Sequence, residues 1–386
     1  MMTFLPLRNG LILAAVLSGI AHGRDDLKPG RYFPPSAGSW ETVAPPEAKA
    51  RPLALRDAIG YAGEKNSKAV VVLWRGRILA ERYWDGWNER TRGNAYSASK
   101  SLVSSLVGMA IEEGKIESVT QKSAAFLDEW KKSPDHRKIS IENHLAMNAG
   151  LEGGRRVFLK GVFTPNERQF ATALPAVHSP GTHWEYHNSA YRLLFSILEE
   201  STGQSLPRYT KDKLFDPLAM RESRWLEKRR GKSGFRGRFA ERRENGQADF
   251  TFLEMSARDA ARYGLFILRE GNWAGRQLLS RDWVRQATRP ARAEVNPSYG
   301  YLWWLNGGDF HYKPLDDTRH PGPIFPGCPD DAFAALGKDD QKIYIVPSLQ
   351  LVVVRLGEAA NARSPAISTF DSEFLGRVCR SFAGEG

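Results

Sequence analysis

Ser97 and Lys100 stand three residues apart at the head of an apolar segment, and this is the only Ser-x-x-Lys in the chain. One helical turn separates them, so the two side chains share a face if the segment is helical. A lysine that loses its proton on burial is able to activate a serine without any histidine. The chemistry such a pair performs is attack on an ester or amide carbonyl, with an acyl-serine intermediate. The motif alone is weak, since about one instance is expected by chance in a chain of this composition. Its place at a helix start adds weight, because free N–H groups and the positive end of the helix dipole favour a developing oxyanion.

A second constellation is Tyr186-His187-Asn188, the only Tyr-x-Asn, which follows the turn-rich Pro180-Gly181-Thr182. Free lysine and tyrosine titrate near 10, so neither is a base at neutral pH without help. Placed together, a lysine cation stabilises a phenolate, or burial neutralises the lysine, and either group then takes the serine proton. Asn188 offers an amide that contacts both Lys100 and a substrate carbonyl. The plainer alternative makes Tyr186 a core aromatic, Asn188 a helix cap and Lys100 a surface lysine. Lys100 is followed by a broad apolar face, where an idle ammonium fits poorly.

Elements able to position these residues are readable from periodicity. Ala69–Trp74 and Ile78–Trp84 are β-rich and separated by Arg75-Gly76-Arg77, the pattern of a hairpin. A helix opening near Ser97 carries Leu102, Val103, Leu106, Val107, Ala110 and Ile111 and stops at Gly114. Helical patterns broken by Pro and Gly follow, then clear helices over Ala257–Glu270 and Thr369–Phe382. Between those two lie β-type runs at Tyr301–Leu305, Phe333–Leu336, Lys342–Val346 and Leu351–Leu356. Strands at both ends of the chain predict one antiparallel sheet flanked by helices, with an all-helical domain inserted, an α/β (α+β) fold. The expected division is 1–23 signal peptide, 24–52 N-terminal arm, 53–96 with 250–386 as the α/β domain, and 97–249 as the helical insertion.

The 386 residues carry 41% hydrophobic and 26% charged residues, an ordinary globular composition that excludes extended disorder. Arg8, the apolar run Leu11–Ile20 and Ala21-His22-Gly23 read as an export signal, with cleavage near Gly23 and a periplasmic or secreted product. An uncleaved anchor or a plain N-terminal helix is the alternative. Cys328 and Cys379 are the only cysteines; in an exported protein they form one disulfide, or they remain two buried thiols. They lack the neighbours of a zinc site, and no metal or other cofactor is expected.

Net charge is +11, much of it from Lys228–Arg243. That stretch reads as a solvated loop, or as electrostatic contact with an anionic cell envelope or acidic substrate. No recognition motif accompanies it, so nucleic-acid binding is not expected. His144, His183 and His187 have no required role in this chemistry, and one of Trp303 and Trp304 is a candidate cleft wall. Glu185 and Asp259 read as helix-end or salt-bridge residues.

Taken in order, Tyr96–Ile116, Ile139–Glu152, Pro180–Leu194, Met255–Trp273, Ser298–Leu305 and Phe333–Gly357 resemble the landmarks of a known group. The chain is similar to the serine β-lactamase and penicillin-binding-protein superfamily, in its class-C-like branch of esterases and amide hydrolases that includes 6-aminohexanoate-dimer hydrolases. The resemblance covers roughly residues 55–380. It implies Ser97 as nucleophile, Lys100 as its activating partner, Tyr186 as proton carrier and Asn188 as substrate and lysine contact. It also implies an oxyanion hole from the Ser97 N–H and an N–H near Lys338, in a β-lactamase/transpeptidase-like fold.

The departure lies on the edge strand, where the superfamily usually carries Lys-Thr-Gly or His-x-Gly and this chain has Ala335-Leu336-Gly337. Gly337 keeps the backbone approachable, but Ala335 offers no charge for a substrate carboxylate. Lys338 is a nearby cation, although neighbouring strand residues face opposite ways. The expected activity is therefore an exported serine hydrolase acting on a small neutral ester or linear amide. A peptidoglycan DD-peptidase or weak β-lactamase is the first alternative. A non-catalytic envelope protein that binds peptides is the second.

Overall fold

The computed structural model describes residues 32–164, 166–227, 250–361 and 366–382. The expected signal peptide and the whole basic stretch Lys228–Arg243 lie outside the described residues. Described chain from Tyr32 runs along the body: Trp40 Nε1 donates to Gly76 O at 2.7 Å, and Val43 N donates to Ile78 O at 2.9 Å. Arg51 N donates to Ser381 O at 2.8 Å, tying this arm to the C-terminal end.

In chain order, helix α1 (Pro52–Glu64) is followed by strands β1 (Ser67–Trp74), β2 (Arg77–Tyr83) and β3 (Arg92–Asn94). A 3-10 turn over Tyr96–Ala98 leads into α2 (Ser99–Glu112). Helices fill the middle: α3 (Ile141–Leu145), α4 (Gly154–Phe163), α5 (Glu167–Thr172), α6 (Asn188–Thr202) and α7 (Leu206–Thr210). Then come β4 (Arg224–Glu227), β5 (Phe250–Ser256), α8 (Ala257–Leu268), the small hairpin β6 (Asn272–Trp273) and β7 (Arg276–Gln277), and α9 (Arg281–Ala287). The chain closes with β8 (Trp304–Leu305), β9 (Phe310–Lys313), β10 (Asp316–Pro321), β11 (Phe333–Gly337), β12 (Gln341–Val346), β13 (Leu351–Gly357) and α10 (Thr369–Arg380).

The main sheet has the order β2-β1-β13-β12-β11-β8, so early and late strands meet at β1 and β13. Val71 pairs with Val354 on one side and with Glu81 on the other, all antiparallel. Both faces are covered. Gly264 of α8 crosses one face, where a Cβ would stand 2.5 Å from Val352 Cγ1 and 3.1 Å from Ile343 Cγ2. Tyr344, the next residue of β12, points to the other face and meets Phe374 of α10 at 6.5 Å between ring centres. Double-sided burial explains why β1 and β13 read as continuous apolar runs rather than alternating ones. A second sheet, β3-β5-β4, joins the start and the end of the helical segment.

Tyr301–Leu305 shortens to the two-residue β8, because Leu302 adopts a left-handed φ of +63° that breaks the strand. Among the described residues no helix is long and apolar enough to cross a membrane.

Candidate active site

Three elements converge on Ser97: the turn leading into α2, the start of α6 and the end of β11. Tyr96, immediately before the serine, has a φ of +44°, which side-chain-bearing residues seldom adopt. Its amide donates to Asn94 Oδ1 at 2.7 Å, and its carbonyl accepts from Ser99 Oγ at 2.7 Å. Strain held by two local bonds at the residue before a nucleophile is a feature of functional sites.

α2 is buried almost throughout and is fixed from outside. Ser101 Oγ donates to Leu302 O at 2.6 Å, and Tyr263 OH donates to Ser101 O at 2.7 Å. Lys100 is carried into this buried setting and its Nζ lies 3.0 Å from Ser97 Oγ. The same nitrogen stands 5.0 Å from the Tyr186 ring centre and 4.4 Å from that of Tyr191. Burial, assisted by the nearby Arg192 guanidinium, holds the lysine well below its ordinary value. The neutral amine is thereby favoured, as a base for serine requires.

Tyr186 is buried, and burial pushes its phenol upward, with its contact to Ser97 pulling the other way. Its hydroxyl faces Ser97 without closing a hydrogen bond of normal geometry. Burial thus acts on both candidate bases in the same sense, favouring the neutral amine of Lys100 and the neutral phenol of Tyr186. The Tyr186 ring stacks on Trp304 at 5.6 Å, and Trp304 packs edge-on to Tyr299 at 4.8 Å.

His187 has a structural task that its sequence did not reveal. It is the N-cap of α6: Nδ1 accepts from Ala190 N at 3.2 Å, and Nε2 bonds Glu152 O at 2.9 Å. The cap makes Asn188 the first helical residue, so Asn188 is not itself the cap. Asn188 Oδ1 is buried and without a hydrogen-bond partner. The structure places it beside the site but does not form the contact with Lys100 that the resemblance implies.

β11 supplies the third side. Its pairing with β8 covers only Phe333 and Ala334, so Ala335–Gly337 lies beyond that partner and beside the serine turn. Gly337 is required there: a methyl group would overlap Ala95 O and sit 3.3 Å from Ala98 N. Ala335 is fully buried. Lys338 is exposed, 3.5 Å from Asp339 and 5.6 Å from the Tyr96 ring centre.

Other sequence candidates find places away from the chemistry. His144 is buried between Ala190 O (2.9 Å) and Ser123 Oγ (3.0 Å), and burial lowers it to about 4, so it is neutral. His183 packs against His178. Glu185 accepts from Gly154 N at the start of α4, and Asp259 accepts from Glu222 N and Ser223 Oγ, both at 2.8 Å. The expectation that Trp303 or Trp304 walls a cleft is corrected: both are buried, Trp303 against Tyr263 at 6.2 Å, because β8 is flanked by packed aromatics on either face. Cys328 and Cys379 do meet, with sulfurs 2.6 Å apart, so the fold brings together the two cysteines of the pairing raised above.

A sequence model of the Beta-lactamase family matches residues 56–365, which contain every residue of this site. The chain belongs to the Beta-lactamase family. It is accordingly a serine hydrolase of that family. Its fold is similar to a 6-aminohexanoate-dimer hydrolase candidate from Bacillus anthracis (TM-score 0.65, 18% identity, 89% of this chain and 88% of that one). It also resembles a penicillin-binding protein from Bacillus halodurans (TM-score 0.58, 16% identity, 83% and 97% covered).

In sequence, this Beta-lactamase-family chain is 24% identical over 307 residues to an uncharacterized protein of Alkalihalophilus pseudofirmus, covering 74% of this chain and 82% of that protein. It is 27% identical over 169 residues to a D-aminopeptidase of Brucella anthropi, covering 40% of this chain and 31% of that enzyme.

Proposed function

We propose that the protein cleaves a neutral ester or a linear amide through an acyl-Ser97 intermediate. The observation that carries this is the buried Lys100 amine at 3.0 Å from Ser97 Oγ, with the Tyr186 phenol facing the same oxygen. In acylation, Ser97 Oγ bonds the substrate carbonyl carbon while Lys100 Nζ takes its proton. The ester C–O or amide C–N bond breaks, and the leaving group takes a proton from Tyr186 OH. Tyr186 is reprotonated by the Lys100 ammonium. In deacylation, water attacks the acyl carbon, the same pair takes its proton, and Ser97 Oγ leaves with a proton. The Ser97 and Lys338 amides are the donors assigned to the oxyanion.

Substrate preference follows from charge. Ala335 has none, and Lys338 lies just past the strand end with its side chain exposed, so a substrate carboxylate meets no buried cation on this strand. The missing charge-assisted hydrogen bond is worth about 10–100-fold in affinity. The similarity to a D-aminopeptidase favours including amides among the substrates. The test is a panel on the purified protein: nitrophenyl butyrate, the methyl ester of 6-aminohexanoate dimer, D-alanine amide and benzylpenicillin. Turnover of the first three classes above penicillin supports the reading. Stable penicillin acylation that outpaces them would replace it with the penicillin-binding alternative.

We also infer export, on the apolar run Leu11–Ile20 and the small residues Ala21 and Gly23 that follow it. A mature N-terminus after Gly23 in periplasmic or secreted material supports it, and an intact Met1 in the cytoplasm overturns it.

A further inference from the structure

The turn that follows β11 is clamped from beneath by buried charges. Lys338–Asp340 joins β11 to β12, and both Asp339 and Asp340 take a left-handed φ of +57°. Asp340 is fully buried. Its carboxylate accepts from Ala360 N at 3.0 Å and Ser368 Oγ at 2.8 Å, and pairs with Lys342 Nζ at 3.2 Å. Lys342, also fully buried, reaches Asp371 at 2.8 Å, and Asp371 accepts from Tyr344 OH at 2.7 Å.

Arg355 completes the cluster. It is fully buried and still cationic at neutral pH, burial lowering it only to about 10. Nη1 donates to the carbonyls of Asp339 (2.8 Å) and Asp340 (3.2 Å). Nε donates to Ser67 Oγ at 2.9 Å, and Nη2 to Lys65 O and Glu358 O at 3.0 and 2.6 Å.

Burying two cations and two carboxylates is costly, and a well-packed apolar core is often at least as stable. What the charges supply is direction: they fix the carbonyls and one side chain of a strained turn. On its other side that turn continues Gly337, which abuts Ala95 and Ala98 around the serine. We propose that Arg355 and Asp340, backed by Lys342 and Asp371, are positioning residues. They hold the Lys338 amide opposite Ser97, so that the oxyanion donor is in place before substrate arrives. This inference rests on the hydrolase reading above.

The test uses the full chain and rates expressed per active serine, titrated by the nitrophenol burst. Arg355→Lys keeps the charge but loses the fork, Ser368→Ala removes one donor to Asp340, and Thr210→Val removes the buried acceptor of Trp225 Nε1, away from the cluster. The first two are expected to lower kcat per titrated serine about tenfold, less than deleting an oxyanion donor outright. They should weaken binding of phenylboronic acid, which forms a tetrahedral adduct on serine, by the same factor, with KM within about twofold. Thr210→Val should lower the melting temperature and leave kcat per titrated serine unchanged. Unchanged kcat and boronate affinity in the first two variants, beside a wild-type burst, overturn this inference alone. If Arg355→Lys does not fold, Ser368→Ala decides. A wild type with no burst overturns the hydrolase reading and this inference together.

Discussion

Gly337, at the end of β11, packs directly against the carbonyl of Ala95, two residues before the nucleophile, and no side chain fits between them. Replacing it by alanine must push the strand end away from the serine turn. A displacement of about 1 Å in a catalytic group costs about 100-fold in rate. Gly337→Ala is therefore expected to lose about two orders of magnitude in kcat while its far-ultraviolet dichroism stays that of the wild type. Steady-state ester hydrolysis on the folded variant checks this, and near wild-type kcat would sever β11 from the chemistry.

The cap on α6 predicts a different pattern. His187→Ala removes the acceptor of Ala190 N and should cost about 1 kcal/mol of stability. Because Tyr186 and Asn188 flank the cap, activity per titrated serine should fall as well. His187→Asn restores a cap acceptor, so it should recover most of both losses. A catalytic imidazole would instead make His187→Asn as inactive as His187→Ala, read by ester turnover.

Activity should rise with pH along a limb set by Lys100. Protonated lysine cannot take the serine proton, and burial has moved that proton's loss well below the ordinary lysine value. Tyr186 is moved upward, so its phenol stays protonated and no alkaline fall from its ionisation is expected in the ordinary tyrosine range. A profile of kcat/KM against pH checks both limbs. Lys100→Arg, charged at every accessible pH, should be inactive throughout.

The same burial carries a stability consequence. For Lys100 the folded value lies below the unfolded value of about 10.4, so between them the unfolded chain binds more protons and stability rises with pH. The wild type therefore bears its full cost at low pH and loses it as pH approaches the unfolded value. Lys100→Met should be inactive yet more stable at pH 7, by about 1 kcal/mol or more. Its advantage should shrink toward pH 10. Denaturant melts at several pH values measure this, and a variant less stable than wild type at pH 7 would contradict the neutral, buried lysine.

Much of this arrangement is local and therefore legible in sequence. Ser97 and Lys100 share one helical turn, and the apolar face after them forecasts the burial that neutralises the lysine. Strands β1, β2, β12 and β13 announce themselves by β-branched runs, and their pairing follows from the need of each for partners. The residues missed depend on distant chain. Lys342 reads as an ordinary strand lysine until Asp371, 29 positions later, closes on it from α10. His187 shows no task in the sequence because the backbone it caps is invisible to residue type. The left-handed Tyr96 has no signal at all, since neither glycine nor asparagine marks it. One of Trp303 and Trp304 reads as a wall, although packed aromatics bury both. Each miss is a case where tertiary packing assigns a role that spacing does not encode.

The central claim is that Ser97 forms a covalent acyl intermediate with Lys100 as its base. It is tested most directly by intact-protein mass after brief exposure to nitrophenyl butyrate, for wild type, Ser97→Ala and Lys100→Ala. The account predicts a butyryl adduct and a stoichiometric nitrophenol burst in wild type and neither in the two variants. An adduct that persists in Ser97→Ala, or wild-type turnover without any adduct or burst, would contradict it.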